Sequence, residues 1–404
     1  MAELLRSADL RRYLAGQVLS LFGDSALLIV LAIWAKQLTH SSAAAGLVLF
    51  AVVAPSLLTP LAGVLVDRVR RRPLLIVVNL LSAVAVLPLL LVHDAGDVWI
   101  LYVVGALYGL SYAVIGAAQS ALLTTILPAR LLADANGALQ TVREGLRLVA
   151  PLAGAGLFVA AGGAAVALLD AATFLAAAAA LASMRFAEAA PQAPATSRGA
   201  ELAAGARHVA TTPELRRMTL ACGVALLVIG FCETVAFEVV ARGLHRPPAF
   251  LGVLIAVQGV GAIAGGITAG RAARRLGEGR LAGYGMAVFA AGCLLQASGT
   301  LAAVLAGVVL FGFGLPWILV GEYTLLQRRT PAHLQGRAYG AVELMTGAPQ
   351  TISIALGAGL VAVVDYRILL AVIALVTAGA GASLVRGFRA GGALSERRIA
   401  RSPG

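Results

Sequence analysis

The residues most able to do chemistry here are acids and arginines set inside long apolar runs. Asp24 stands in Leu21-Phe22-Gly23-Asp24-Ser25, twelve positions past Arg12. In a membrane helix that spacing places it ~18 Å into a ~30 Å hydrocarbon core. Glu233, in Cys232-Glu233-Thr234, lies sixteen positions past Arg217, or ~24 Å in. A charge at such depth costs about 2.5–3.5 kcal/mol even on a lenient scale, so each acid is a functional candidate. Carboxylic acids withdrawn from water bind and release protons nearer neutrality than exposed ones, which is the chemistry that proton coupling needs. Asp24 is the first candidate for proton carrier and for contact with a cationic substrate, and Glu233 the second. The plainer reading of Asp24 is a structural acid paired with a nearby arginine.

Arg143 and Arg147 lie one turn apart on one helix face beside Glu144. Arg147 is the deeper of the two and needs a buried partner, which Asp24 or Asp170 would supply. Asp170, about four turns before Arg185, sits among small residues and reads as a packing or pairing acid. Glu322 and Glu343 each stand six residues from an arginine, Arg328 and Arg337. Interfacial salt bridges are the first reading of both, and a proton-release path the second. Glu238 is placed to pair with Arg242 at i+4. The amides Gln17, Asn79, Gln119, Gln258, Gln296 and Gln350 line a cavity for amphiphilic ligands or act as helix-packing glue. The same two readings apply to Phe22, Tyr108, Tyr112, Phe231, Phe237 and Trp317.

The elements that position these groups follow from composition: 60% of the 404 residues are apolar, 12% charged, and mean hydropathy is +0.91. Soluble domains are roughly half apolar and a quarter charged, so this is an integral membrane protein. Apolar runs place helices at about 13–37, 45–66, 74–93, 98–126, 138–161, 163–184, 217–241, 249–270, 281–300, 302–327, 338–363 and 366–386. Numbering the gaps alternately puts 27 of the 31 basic residues on one side, leaving Lys36, Arg242, Arg246 and Arg367 on the other. That bias sets both termini in the cytoplasm and accounts for the net charge of +12 without nucleic acid. Thirty arginines against one lysine, with abundant Ala and Gly, suggest a bacterial chain, hence a multi-pass protein of the bacterial cytoplasmic (inner) membrane. Cys222, Cys232 and Cys293 lie in apolar runs, the first two ~15 Å apart along one helix and unable to bridge. The five histidines have no metal-ligand spacing, so no metal and no cofactor are expected. The start, with Arg6, Arg11 and Arg12, reads as a short basic tail, and the first helix is expected to be retained.

The longest polar stretch, 185–216, contains Pro191, Pro194 and Ala195-Thr196-Ser197-Arg198-Gly199. It divides an N-terminal six-helix half, 1–184, from a C-terminal one, 217–404, which ends in a short basic cytoplasmic tail. Glu201 to Val209 is expected as an amphipathic helix at the membrane surface. Shifting the first half by 203 positions superposes Gly63, Arg68, Arg71 and Arg72 on Gly266, Arg271, Arg274 and Arg275. The same shift brings Pro128, Gly137, Gly154 and Gly156 onto Pro331, Gly340, Gly357 and Gly359. Parallel six-helix repeats are the internal symmetry of secondary transporters, with a site near the midplane.

The run Gly63-Val-Leu-Val-Asp67-Arg68-Val-Arg70-Arg71-Arg72 resembles the loop signature of the major facilitator superfamily, with Arg70 where that family usually has glycine. Leu21 to Ser25, Leu132-Ala133-Asp134-Ala135-Asn136-Gly137, Asp170-Ala-Ala-Thr-Phe174 and Glu201 to Arg217 resemble its twelve-span drug:proton antiporters of the macrolide-efflux type. The resemblance covers nearly the whole chain. It implies an all-α protein of twelve transmembrane helices in two pseudo-symmetric halves, the major facilitator fold. It also implies that Asp67 caps a helix of the opposite half and gates the cycle with Arg68, Gly63 belonging to the same signature. It further implies that the nearby arginines pair across the cytoplasmic interface, which puts Arg71 and Arg72 in the same gating set; the plainer reading of both is as positive-inside anchors. Ala150-Pro151-Leu-Ala-Gly154-Ala155-Gly156 is similar to a fifth-helix exporter signature, of which Pro151 and Gly154 remain. The arginine that many relatives carry in the fourth helix is missing, since 98–126 holds no charge.

Together these observations favour proton-driven export of amphiphilic drugs or antibiotics by a monomer. Its partners are a small amphiphilic substrate, protons and the lipid bilayer. The alternative is an exporter or flippase of one endogenous molecule, such as a siderophore or lysophospholipid. An ATP-driven pump lacks its Gly-Lys-Ser/Thr loop, because the single Lys36 precedes Gln37. An enzyme is disfavoured, with no nucleophile–base pair or metal cluster in the pattern.

Overall fold

The computed structural model describes residues 8–186, 188, 198–247 and 250–399. The readings that rest on Arg6, on Pro191, Pro194 and the 195–197 part of the linker, and on Arg401 lie outside them. Every regular element among the described residues is a helix. Nine of the continuous helical runs are long and apolar enough to cross a membrane. One of them, Ala129–Ser183, is two helices, because Gly162 stands at φ +78° and ψ 176° and interrupts the ladder. A residue without Cβ takes that conformation at little cost. Glu278–Gln296 and Gln335–Val363 bring the set to twelve.

In chain order these are α1 (Ala8–Thr39), α2 (Ala43–Arg68), α3 (Arg71–Leu91), α4 (Val98–Ile126), α5 (129–161) and α6 (163–183). Then follow α7 (Pro213–Gly243), α8 (Leu251–Leu276), α9 (Glu278–Gln296), α10 (Leu301–Arg329), α11 (Gln335–Val363) and α12 (Tyr366–Ile399). A separate linker helix spans Arg198–Thr211. Three elements differ from the sequence expectation. α7 is interrupted at Gly230–Phe231 and ends in a π turn over Val239–Gly243. α12 continues as a helix through the basic tail to Ile399, since Ala, Leu, Glu and Arg favour helix whether or not lipid surrounds them. The linker helix sets Gly205 against the backbone of Arg337, so part of it covers protein as well as facing outward.

The chain forms two compact units. The first holds Met1–Ala129, Val142–Ala206 and Thr330–Leu344, and thus α1–α4, most of α5, α6 and the opening turns of α11. Its core joins Leu27, Leu31 and Trp34 of α1 to Leu101 and Tyr108 of α4 and Phe174 of α6. α1 and α6 run alongside one another: a Cβ on Gly16 would lie 2.8 Å from that of Ala180, and one on Gly23 2.5 Å from Asp170 Oδ1. Gly154 does the same for α5, where a Cβ would come within 2.9 Å of the Ala26 backbone. Small residues let membrane helices approach and gain dispersion contact where no hydrophobic drive exists.

The second unit holds Arg130–Thr141, Arg207–Arg329 and Met345–Gly404. Here α9 packs against α10 and α12, and α8 against α10. Glycine again sets the spacing, with Gly292 against Gly307 and Gly285 against Gly314. The turn between α8 and α9 is Gly277, at φ +79°.

Candidate functional site

On α1, Gln17, Ser20, Leu21 and Asp24 recur at helical spacing and share one face. On α4 the same spacing gathers Tyr108, Ser111, Tyr112, Ile115, Gly116 and Gln119. In the first unit these two stripes meet Arg143 of α5, Phe174 of α6 and Tyr339 of α11 around one narrow pocket of about 30 Å³, room for a water molecule or two. Gln119 donates from its amide to the Gln17 carbonyl across the pocket. Asp24 faces the hydroxyls of Tyr108 and Ser20 and the charge of Arg143. Its Oδ1 has no hydrogen-bond partner among the described residues.

Asp170, fully buried on α6, interacts electrostatically with Asp24. Its backbone carbonyl accepts from Thr173 Oγ1 at 2.8 Å, whereas its Oδ2 finds no partner among the described residues. Two acids, one guanidinium and three phenols therefore share a region from which most water is excluded. A group that gains or loses a proton there changes the balance of the whole pocket, since charges interact strongly where dielectric screening is weak. Tyr339 extends the network to Glu343, one turn further along α11.

Arg147, expected as the deep partner of Asp24 or Asp170, is exposed, and Arg143 stands beside Asp24 instead. Arg147 stands about 400°, or about 40° past a full turn, from Arg143, which turns it off the pocket-lining direction of Arg143. Of the cavity candidates, Gln17, Tyr108, Tyr112 and Gln119 line this pocket and Phe22 does not. Glu233, Phe231, Gln258 and Trp317 belong to the second unit. Glu233 is exposed in the first turn after the α7 interruption. Trp317 donates from Nε1 to the Gly265 carbonyl at 3.1 Å and to Thr268 Oγ1 at 3.0 Å, a packing role. Glu322 is buried beside the Cys222 thiol, and Glu238 pairs with Arg242 at 2.7 Å. Sequence reading passed over Ser20, Ser111 and Tyr339, and named Phe174 only within the run from Asp170; the polar stripe on the charge-free α4 was the available signal for Ser111.

At the end of α2, the buried Asp67 accepts from the backbone N–H of Gly336 at 2.8 Å and of Arg337 at 3.0 Å, and from Arg337 Nε at 3.0 Å. It thereby satisfies two donors that the first turn of α11 leaves open. A Cβ on Gly63 would lie 2.6 Å from the Gly336 carbonyl carbon, so only glycine fits there. Arg68 is exposed. Arg71 and Arg72 are not simple anchors. Arg71 is buried, donates to the Ala332 carbonyl at 2.8 Å and pairs with Glu188 at 3.6 Å. Arg72 donates to the Leu181 and Ala182 carbonyls, which α6 leaves unpaired at its end. Glu188, unremarked in the polar linker, also caps α3 by accepting from the N–H of Arg71 at 2.6 Å and of Arg72 at 3.1 Å.

The family model of the Major Facilitator Superfamily matches residues 13–237 and 234–398. Among solved structures, the fold is similar to a bacterial homologue of the iron transporter ferroportin in its outward-facing state. That likeness has 17% identity and a TM-score of 0.78, over 93% of this chain and 98% of that one. The human organic anion transporter TETRAN gives 14% identity and 0.80, over 94% and 100%. The Escherichia coli fucose:proton symporter gives 14% and 0.75, over 94% and 98%. At such identities the likeness establishes the fold alone. No curated protein sequence matches.

Proposed function

Because the chain belongs to the major facilitator superfamily, whose members are transporters, we propose that it is a proton-coupled exporter of amphiphilic drugs or antibiotics, of the macrolide-efflux type. It works by alternating access of the halves 1–184 and 217–404, joined by 185–216, as a monomer in the bacterial cytoplasmic membrane with both termini inside. The observation that carries this reading is Asp24: an acid in a membrane helix, with an unpartnered oxygen among the described residues, facing a polar pocket of phenols, amides and one arginine. Proton binding at Asp24, with Asp170 beside it, changes the pocket's charge and so its hold on a cationic or amphiphilic substrate. Arg143 supplies the counter-charge when the acids are ionised. Asp67, Gly63 and Arg68 form the gate, held by the cap on α11, and Arg71 and Arg72 brace it. Glu233 is the second coupling acid, and Pro151 with Gly154 shapes α5 against α1.

A second reading is favoured by the narrowness of the pocket and by its hydrogen-bonding lining. A site of buried amides and a guanidinium rejects ligands that leave these groups unpaired, which suits one defined polar molecule, such as a siderophore or lysophospholipid.

The test is drug-dependent proton flux in proteoliposomes, with macrolides, tetracyclines and lipophilic cations, for the native protein and Asp24→Asn. The proposal expects native vesicles to exchange protons for at least one compound and the variant to lose that exchange. Movement of a compound without protons, or an unimpaired variant, would overturn the assignment of Asp24 and move the second reading ahead.

A further inference from the structure

Where α1, α3 and α6 reach their basic ends, the first unit carries an open cleft of about 780 Å³ lined by Arg12, Arg72, Ser183, Met184, Arg185 and Phe186. Two of the three arginines are partly engaged. Arg12 donates from Nη1 to the Ser183 carbonyl at 2.9 Å and to Asp9 Oδ1 at 3.4 Å. Arg72 donates from Nε and Nη2 to the Leu181 and Ala182 carbonyls, at 2.9 and 2.7 Å, with its guanidinium 5.9 Å from the centre of the Phe186 ring. These bonds fix both guanidinia at the carbonyl end of α6. They leave Nε and Nη2 of Arg12, and Nη1 of Arg72, without bonds to the described residues. Arg185 is exposed, and only its backbone N–H is engaged, donating to Asp9 Oδ1 at 3.2 Å. Its guanidinium meets no partner among the described residues. Three arginines, two of them held in place, thus line the cleft, with the carboxylate of Asp9 beside them and that of Glu188 engaged by Arg71 and the N–H of Arg72.

The surface leading away from the cleft is apolar and has a definite course. Seven residues are close to two helical turns, so Leu19 lies on the face of Arg12, and Leu175 and Leu168 on the face of Ala182. Leu19, Leu175 and Leu168 are 47%, 50% and 52% exposed. The contacts Arg12 to Ser183, Gly16 to Ala180 and Gly23 to Asp170 run α1 and α6 antiparallel, which sets Leu19 and Leu175 at the same level. On α6 the residues that meet α1 are Asp170, Thr173, Ala177 and Ala180, so Leu175 and Leu168 lie about half a turn away, and the cleft opens below Ala182 onto an apolar stripe on the face of α6 turned from α1.

We propose that this cleft binds the phosphate headgroup of an anionic phospholipid, with its acyl chains lying along Leu175 and Leu168 below Ala182. Arginine suits the role because its planar fork offers paired donors to phosphate oxygens. A lipid is favoured over free phosphate because the apolar stripe begins where the cationic pocket ends.

The experiment measures retention of added lipid by the purified full-length protein in native mass spectrometry. Phosphatidylglycerol is compared with phosphatidylcholine, and inorganic phosphate and glycerol phosphate serve as soluble competitors. The variant is Arg185→Gln, which breaks no side-chain bond to the described residues, with Arg185→Lys retaining the charge. An arginine near an anionic surface is worth about fivefold in affinity. Native protein is expected to retain phosphatidylglycerol over phosphatidylcholine, Arg185→Gln to weaken that retention about fivefold, and Arg185→Lys to keep most of it. Equal retention of the two lipids, or undiminished retention by a folded Arg185→Gln, overturns the proposal. Displacement of the lipid by inorganic phosphate at concentrations that leave native folding unchanged identifies a free-anion site and overturns it as well.

Discussion

At the scale of single residues, the pocket separates two arginines that the sequence makes look equivalent. Arg143 lines the pocket with Asp24, whereas Arg147 is exposed. A guanidinium that faces a buried acid in a poorly screened pocket acts on it strongly, while exposed charges are worth about 0–1 kcal/mol. Arg143→Gln is therefore expected to lower substrate-driven proton flux about tenfold or more, and Arg147→Gln to change it less than about threefold. Flux measured in the same vesicles at matched protein density decides between them; equal effects would remove Arg143 from the pocket's function. Depth arithmetic alone singled out Asp24, because two basic residues bracket its helix and the distance between them is countable. The stripe from Tyr108 to Gln119 was likewise legible as polar residues at helical spacing. Tyr339 and Glu188 were not. Each reaches its partners over more than a hundred positions of chain, and Glu188 sits in a polar, proline-bearing stretch whose composition gives no sign that one carboxylate will be 5% exposed and cap a helix.

At the scale of elements, glycines set how closely helices approach, and they divide into those that the packing requires and those that it does not. A Cβ at Gly63 would meet backbone atoms of Gly336 and Arg337, at 2.6 and 3.0 Å, and backbone cannot swing aside. At Gly156, within α5, nothing lies within 4 Å of the same position. Gly63→Ala should destabilise by about 1–3 kcal/mol, the usual range for overpacking. Gly156→Ala should stabilise by about 0.5–1 kcal/mol, because alanine restricts the unfolded chain and favours helix. Thermal unfolding followed by a thiol-reactive dye reads both, since Cys222 and Cys293 are buried in the folded protein. A Gly63→Ala protein as stable as the native one would show that α2 and α11 tolerate wider spacing. The number and order of membrane helices were legible because apolar runs and turn residues alternate clearly. The interruption of α7 was not, since Gly230 and Phe231 interrupt no hydrophobic pattern. The same is true of the long α12, whose tail has helix-forming residues but no apolar periodicity.

At the scale of the whole molecule, equivalent positions of the repeat make contacts of different chemistry. Under the shift of 203 positions, Gly63 corresponds to Gly266, Asp67 to Gly270, and Arg337 to Asp134. In the first unit, the acid is on α2 and reaches two backbone donors and one guanidinium on α11. In the second, the acid is Asp134, at the opening of α5, and pairs with Arg274 of α8. Gly270, the counterpart of Asp67, accommodates Asp134, with the Asp134 Cα 2.9 Å from where its Cβ would be. The two contacts are not equal in energy. The Asp67 and Arg337 side chains are 3% and 16% exposed, against 11% and 43% for Asp134 and Arg274. Charge-assisted bonds to helix-start donors gain from burial, whereas a half-exposed ion pair is worth about 0–1 kcal/mol. An acid that holds the start of a helix only in one state of a transport cycle biases that cycle, so its loss alters rate as well as stability. Asp67→Asn is thus expected to lower transport about tenfold or more, and Asp134→Asn by no more than about threefold, since it forfeits only a surface-like pair. Combining Asp67→Asn with Arg337→Gln should cost less than the sum of the separate changes, because both remove the same interaction and neighbouring sites couple by about 0.5–3 kcal/mol. Flux rates of the native protein, the three single variants and the double variant, normalised to folded protein, supply the comparison. If Asp134→Asn proves the more damaging change, the working contact is the one in the second unit, and burial is not what distinguishes the two copies.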